Sequence, residues 1–126
     1  MSVDSRVVVA NTEGKILLGR RASGVETGKW SLLGGKPNKS ENLHDAAQRE
    51  LFEETGLAVG RLHFLFESEF GNWIGHYFLA IITSPLNLTP DVEHDELRWF
   101  GKGEIEKIKD QLAFDHYLIL QRYFTK

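Results

Sequence analysis

The chain has 126 residues, 41% of them hydrophobic and 26% charged, the size and balance of one globular domain spanning residues 1–126. A formal charge of −3 argues against an electrostatic grip on long nucleic acid, and the lack of cysteine excludes disulfides, zinc–thiolate centres and thiol nucleophiles. No run approaches the roughly 18 apolar residues of a membrane helix, and residues 1–6 lead into a strand without a signal-peptide core, so a cytoplasmic protein with no membrane partner is expected.

Val7-Val8-Val9-Ala10 is a β-branched run ending in the turn cluster Asn11-Thr12-Glu13-Gly14, and Ile16-Leu17-Leu18-Gly19 resumes it, which predicts a hairpin. Residues 20–29, with two glycines and little apolar content, read as a loop. A brief strand follows at residues 30–33, then irregular backbone at 34–38. From Asn42 the period becomes helical through Leu43, Ala46, Ala47, Glu50, Leu51 and Glu54, with Asn42 as N-cap and Gly56 past the end. Residues 61–70 and 74–83 predict a second hairpin turning at Gly71-Asn72. Pro85 and Pro90 frame a loop that runs into the acidic patch 91–96, and residues 97–100 form a last short strand. A short helix is expected at 104–109 and a longer one at 115–124, with Leu118, Ile119, Arg122 and Tyr123 on one face. This order predicts an α/β fold, a mixed sheet with helices on its faces.

On the first helix Glu50, Glu53 and Glu54 share an arc of about 100°. They lie in its last turns, where the helix dipole is negative. Each like-charge pair three or four residues apart costs about 0.2–0.5 kcal/mol, and an acid at this end about 0.3–1 kcal/mol more. Local stability disfavours the cluster; a bound cation reverses every sign. Oxygen donors without Cys or His suit Mg²⁺, Mn²⁺ or Ca²⁺. The competing reading is a solvated acidic face with Arg49 paired to Glu53. Against it, the acids share their face with Leu43, Ala46 and Ala47, a stripe that should pack inward. The two alanines leave room for a neighbouring backbone such as Gly34-Gly35.

Gly35, five residues, Glu41, seven residues, then Arg49-Glu50-Leu51-Phe52-Glu53-Glu54-Thr55-Gly56-Leu57 resembles the complete Nudix box, matching all nine defined positions over 23 residues. The flanks Leu17-Leu18-Gly19-Arg20-Arg21, Gly28-Lys29-Trp30 and Leu32-Leu33-Gly34-Gly35 are also similar to that family, which often has proline where this chain has Leu33. The resemblance implies a Nudix-type α/β/α sandwich with a mixed β-sheet and a hydrolase dependent on Mg²⁺ or Mn²⁺. It implies Glu50, Glu53 and Glu54 as metal ligands, with a backbone carbonyl of Gly34 or Gly35, Gly35 first, adding another oxygen. Arg49 would orient the carboxylates with Glu41 as partner, and Glu50 or Glu53 would accept a proton from water. The run Glu93-His94-Asp95-Glu96-Leu97-Arg98-Trp99-Phe100 resembles the acid-rich loop of MutT-like members, which implies Glu96, ahead of Glu93, as a further ligand or base.

Arg20, Arg21, Lys29 and Lys36 flank the glycine loop and are candidates to neutralise phosphates, Arg20 and Lys36 first. Trp73, Tyr77, Trp99 and Phe114 are candidates to stack on a base, Trp99 and Phe114 first, although aromatics in strands more often fill a core. The five histidines show no metal spacing; His76, in a central strand, is the one to check. The resemblance implies a small nucleotide as substrate, first a (deoxy)nucleoside triphosphate cut to monophosphate and pyrophosphate. A second reading, from Leu112-Ala113-Phe114-Asp115-His116, is ADP-ribose or a sugar nucleotide; a third is a nucleotide sensor without catalysis. A monomer or homodimer is expected.

Overall fold

Val7, Val8 and Val9 are all fully buried, yet successive residues of a strand point to opposite faces. The strand that holds them must therefore be covered on both sides. In the computed structural model, which describes residues 2–83 and 88–125, β1 (Ser2–Asn11) is that strand. Val7 and Val9 join one core cluster and Val8 another, on the two faces of a mixed sheet.

β1 runs parallel to β6 (Trp73–Ile82) over its whole length, from Ser2 opposite Trp73 to Asn11 opposite Ile82. It pairs antiparallel with β4 (Leu33–Gly35) near its start and meets β2 (Ile16–Arg21) only at Ala10 opposite Ile16. β3 (Trp30–Ser31) and β7 (His94–Phe100) both pair with β2, and β5 (His63–Phe70) pairs with β6 as the predicted hairpin. The path of the sheet is β3-β2-β1-β6-β5, with β4 on β1 and β7 on β2. The predicted first hairpin is thus a fork: β2 leaves β1 after one register pair and forms its long ladder with β7.

Helix α1 (Leu43–Thr55) covers the face of Val7, Val9, Leu17 and Leu33 through Ala47 and Leu51. The other face, with Val8, Leu18 and Trp30, takes Ile105 of α2 (Lys102–Lys107) and Ile119 and Leu120 of α3 (His116–Phe124). This is an α/β/α sandwich.

Several local expectations are corrected. Gly34 and Gly35 are strand, not irregular backbone: a Cβ on Gly34 would stand 2.2 Å from the Ser5 carbonyl oxygen, so a glycine pair can draw against β1 where larger residues cannot. The predicted strand at 30–33 is split, because Leu32 lies between two short ladders. The short helix begins at Lys102, with the Glu104 carboxylate accepting the Gly101 N–H at 2.8 Å, and a 3₁₀ turn (Lys109–Gln111) follows it. In α3 the buried residues are His116, Ile119 and Leu120, whereas Leu118 is exposed. Pro85 lies outside the described residues. Among the described residues no helix is long and apolar enough to cross a membrane.

Candidate active site

Helix α1 is fixed at both ends. The Asn42 side chain accepts the Asp45 N–H at 2.8 Å, and Gly56 adopts φ 80° while donating its N–H to the Phe52 carbonyl at 2.8 Å. Between those ends Arg49 gathers the acids. Its Nε donates to Glu41 Oε2 at 2.9 Å and its Nη1 to Glu50 Oε1 at 2.7 Å and Glu53 Oε1 at 3.0 Å. Nη2 donates to Glu41 Oε1 at 3.0 Å and to the Lys36 carbonyl at 3.1 Å. One planar guanidinium therefore ties the helix to the loop after β4. Arg49 holds the Glu41 carboxyl below its usual range.

Glu54 is 1% exposed, and its Oε1 accepts the Gly34 N–H at 2.8 Å. Burial pushes its pKa up to about 9 despite that hydrogen bond. Burial also raises Glu50, outweighing the opposing pull of Arg49. Glu50 lies against Gly35, where a Cβ would stand 2.4 Å from Oε2. The glycine is where the carboxylate goes.

The third carboxylate arrives from the loop ahead of β7. Asp91 Oδ1 accepts the N–H of Glu93 at 3.1 Å and of His94 at 3.2 Å, and lies 3.3 Å from His94 Nδ1. The buried His94 ring occupies the space a Cβ of Gly19 would need, 2.6 Å from its Cδ2. The pairing of β2 with β7 slips here, so that Arg20 faces Glu96 and Arg21 faces His94, leaving Asp95 as a bulge. Oxygens of Glu50, Glu54 and Glu93 then all lie within 4.8 Å of one another. A hard-oxygen set of this kind, with two members raised by burial, fits Mg²⁺ or Mn²⁺: a divalent counter-charge removes the penalty that burial imposes on the ionised carboxylates.

Beside the cluster, at the end of the sheet where β1 starts, is a cavity of about 470 Å³. Its walls include Arg21, Trp73, Tyr77, Phe114 and Asp115. Arg21 donates its Nε to the Val25 carbonyl at 2.7 Å, and its guanidinium lies 4.9 Å from the centre of the Phe114 ring. Burial and Arg6 hold Arg21 below its usual pKa, while Glu93 and Glu54 act in the opposite sense, so Arg21 is within electrostatic reach of acids and cavity alike. At the rim Lys36 Nζ stands 4.9 Å from the Trp73 ring.

Of the residues expected from sequence, Glu50, Glu54, Gly35 and Arg49 come together, and Phe114 and Lys36 meet the cavity. Glu53 is beside them but outside the three-carboxylate cluster, held by Arg49 with its side chain 53% exposed. Glu96 is turned elsewhere: Arg98 donates to its Oε2 at 2.6 Å and Arg20 lies 3.5 Å from its Oε1. Strand alternation puts Glu96 with Arg98, whose guanidinium stands over Trp30 on the face opposite α1. Arg20 is paired with Asp95 at 2.7 Å, and its neighbour Arg21 lines the cavity instead. Trp99 packs on the α1-side core and borders a groove with Asn11 and Thr12, at the other end of β1 from the cavity. His76 pairs with Glu67 at 3.0 Å. Asp4 and Arg6, ion-paired at 3.0 Å, line the cavity without any signal in the sequence beyond their place at the head of a strand.

The chain matches the NUDIX domain family across residues 3–123. It is 36% identical over 107 residues to an oxidized purine nucleoside triphosphate hydrolase of Danio rerio, covering 81% of this chain and 66% of that protein. The chain thus spans less than two thirds of that relative's length. Among solved structures it is similar to a MutT NUDIX hydrolase from Burkholderia pseudomallei (TM-score 0.74, 28% identity, 82% of this chain and 84% of that one). It is similar in fold to a bifunctional NMN adenylyltransferase/ADP ribose pyrophosphatase from Francisella tularensis, with a TM-score of 0.85 at 24% identity, covering 99% of this chain and 41% of that one.

Proposed function

The chain belongs to the NUDIX family, and from that premise we propose that it is a hydrolase cutting a phosphoanhydride bond in a nucleoside diphosphate linked to another moiety. The substrate of first choice is a (deoxy)nucleoside triphosphate, released as monophosphate and pyrophosphate. One observation carries this reading: the oxygens of Glu50, Glu54 and Glu93 meet within 4.8 Å beside a cavity walled by aromatic rings.

Glu50, Glu54 and Glu93, with the Gly35 carbonyl, would hold Mg²⁺ or Mn²⁺ in this reading, and the chemistry such an ion would supply is counter-charge for the pyrophosphate and a lowered pKa of water. Arg49 keeps Glu50 and Glu53 aligned through Nη1. Glu53, the most solvent-open of the three glutamates of the helix, takes the proton as water attacks phosphorus and the anhydride P–O bond breaks. Arg21 and Lys36 draw the phosphates in, and Phe114 and Trp73 flank the base. Glu93 takes the role the sequence suggested for Glu96, because Glu96 is engaged by two arginines on the far face.

A substrate panel with and without Mg²⁺ tests the proposal. Pyrophosphate from triphosphates supports it, and AMP from ADP-ribose supports the second reading drawn from Leu112-Ala113-Phe114-Asp115-His116. Glu53→Gln is expected to lower kcat by about 10²–10⁴-fold, the usual worth of a general base. Unchanged turnover with saturating metal removes Glu53 from the chemistry, and tight nucleotide binding without any product makes the protein a sensor.

A further inference from the structure

Three buried side-chain polar atoms have no hydrogen-bond partner among the described residues: Ser5 Oγ, His76 Nδ1 and Ser31 Oγ. The first two belong to neighbours. Ser5 on β1 stands opposite His76 on β6, and register partners on strands about 4.8 Å apart put their side chains on one face. The row continues both ways across the sheet. His76 faces Glu67 on β5, and its Nε2 lies 3.0 Å from Glu67 Oε2. Ser5 faces Gly35 on β4, where Glu50 Oε2 fills the place of the missing side chain. Glu67, His76, Ser5 and Glu50 thus form one polar row over four strands, from the exposed sheet edge to the carboxylate cluster. One turn before Glu50 on the same helix face, Ala46 is fully buried yet joins neither apolar core cluster, as a small residue packed on polar neighbours does.

The hydrogens along this row follow from its acceptors. A carboxylate only accepts, so Glu67 fixes the His76 hydrogen on Nε2 and leaves Nδ1 of the neutral ring as an acceptor. Ser5 has a single hydrogen to give. Given to His76, it is lost to Glu50. One water molecule that donates to both Nδ1 and Oγ satisfies the two atoms, as buried waters do for polar groups the protein leaves unmatched. The Ser5 hydrogen is then directed toward Glu50 Oε2. Arg49 holds the other oxygen, Oε1, at 2.7 Å.

We infer that a water molecule bound between Ser5 Oγ and His76 Nδ1 makes these two residues a brace for Glu50, on the side of its carboxylate that Arg49 leaves open. Arg49 sets Oε1 and the row sets Oε2, so the ligand is oriented before a cation arrives. Hydrogen-bonded supports around a metal ligand are worth about 10–100-fold in affinity. Glu67 acts at the far end by choosing the His76 tautomer. Ser5, His76 and Glu67 are positioning residues that act through Glu50. The inference rests on the reading that Glu50 ligates the metal.

Titration with Mn²⁺ at pH 8, followed by the electron paramagnetic resonance of the free ion, tests it without turnover. Ser5→Ala is expected to weaken Mn²⁺ binding about tenfold and His76→Phe about as much, each in protein whose melting temperature shows it folded. His76→Gln, whose amide can donate to Glu67 and accept from the water, should keep the affinity of the unmodified protein. Ser5→Ala and His76→Phe together should cost no more than either alone, because both remove one brace. The ¹⁵N spectrum of the His76 ring should show its hydrogen on Nε2 and a bare, hydrogen-bonded Nδ1. Unchanged Mn²⁺ affinity in Ser5→Ala, additive losses in the double variant, or a hydrogen on Nδ1 each overturn the inference and leave the metal site and the hydrolase reading standing. An unmodified protein that takes up no Mn²⁺ sinks the metal reading itself, and the brace with it.

Discussion

Gly35 and Glu50 share one small volume, and the glycine is the partner that cannot change. A methyl group there would meet Glu50 Oε2 at 2.4 Å with strand β4 behind it, so the carboxylate must move away from Glu54 and Glu93. Gly35→Ala is therefore expected to weaken Mn²⁺ binding roughly 10- to 100-fold, the scale at which displaced support around a metal ligand is felt; titration followed by the electron paramagnetic resonance of free Mn²⁺ reads it directly. His116 makes a different prediction. Its buried Nδ1 accepts the Leu32 N–H at 3.1 Å, and burial first, then Arg6 and Arg21, hold its pKa well below 6.5. The unfolded chain takes up a proton below pH 6.5 that the folded one refuses. Stability is thus complete above that pH and falls below it, by up to about 1.4 kcal/mol per pH unit for this group. Buried His94 is lowered in the same direction and adds to the slope. In His116→Asn, whose amide oxygen can accept the same N–H, the drop in melting temperature between pH 7.5 and pH 5 should shrink; an unchanged slope would assign it to other groups.

Helix α1 carries its acids at the end where the dipole opposes them, with no basic residue in its last turn. Its start must compensate. Asn42→Ala removes the 2.8 Å bond to Asp45 N–H and is expected to cost about 1 kcal/mol, or about 4 °C in melting temperature. The same variant with saturating Mg²⁺ should recover part of that loss, since an ion that binds only the folded helix stabilises it by mass action. Strand β7 works by a different device. A regular ladder would keep residues 93 to 100 in strict alternation, whereas the bulge at Asp95 and the Asp91 turn set the direction of Glu93 independently of Glu96. The helix supplies two carboxylates by periodicity; the strand supplies the third by breaking its own.

Across the whole molecule β1 is the axis between two ends with separate properties. Phe114 lies at the cavity, beside the start of β1, while Trp99 borders the groove at Asn11 and Thr12, where β1 ends. Phe114→Ala should raise KM for the preferred nucleotide about tenfold through lost stacking. Trp99→Ala should leave KM within about twofold and instead cost about 2 kcal/mol of stability, because its ring packs on the core under α1. Steady-state kinetics and thermal melts on the pair separate the two ends; a KM effect at Trp99 would move the proposed nucleotide site to the groove at Asn11 and Thr12.

What the chain order determined was everything encoded over short distances. The helix with its Asn42 cap and Gly56 stop, and the pairing of Arg49 with Glu53, depend on 3.6-residue spacing and so were legible locally, whereas Arg49 beside Glu41 was implied by the family resemblance over 23 residues. Even the glycine pair beneath Glu50 was anticipated by the small Ala46 and Ala47. Only the tertiary structure shows that Glu93 and not Glu96 joins the carboxylate cluster, and that Arg21 and Phe114 line the cavity while Arg20 pairs with Asp95 and Trp99 borders the far groove. In each pair both members have suitable chemistry, and what separates them is the face of the sheet, or the end of it, that they reach. Faces are exchanged by a single slipped residue, as at Asp95, and no local pattern announces the slip. The cavity itself joins β1, β2, β6 and the residues before α3, segments separated by as much as 111 positions between Asp4 and Asp115, and closes only once a parallel β1–β6 pairing has brought their ends together.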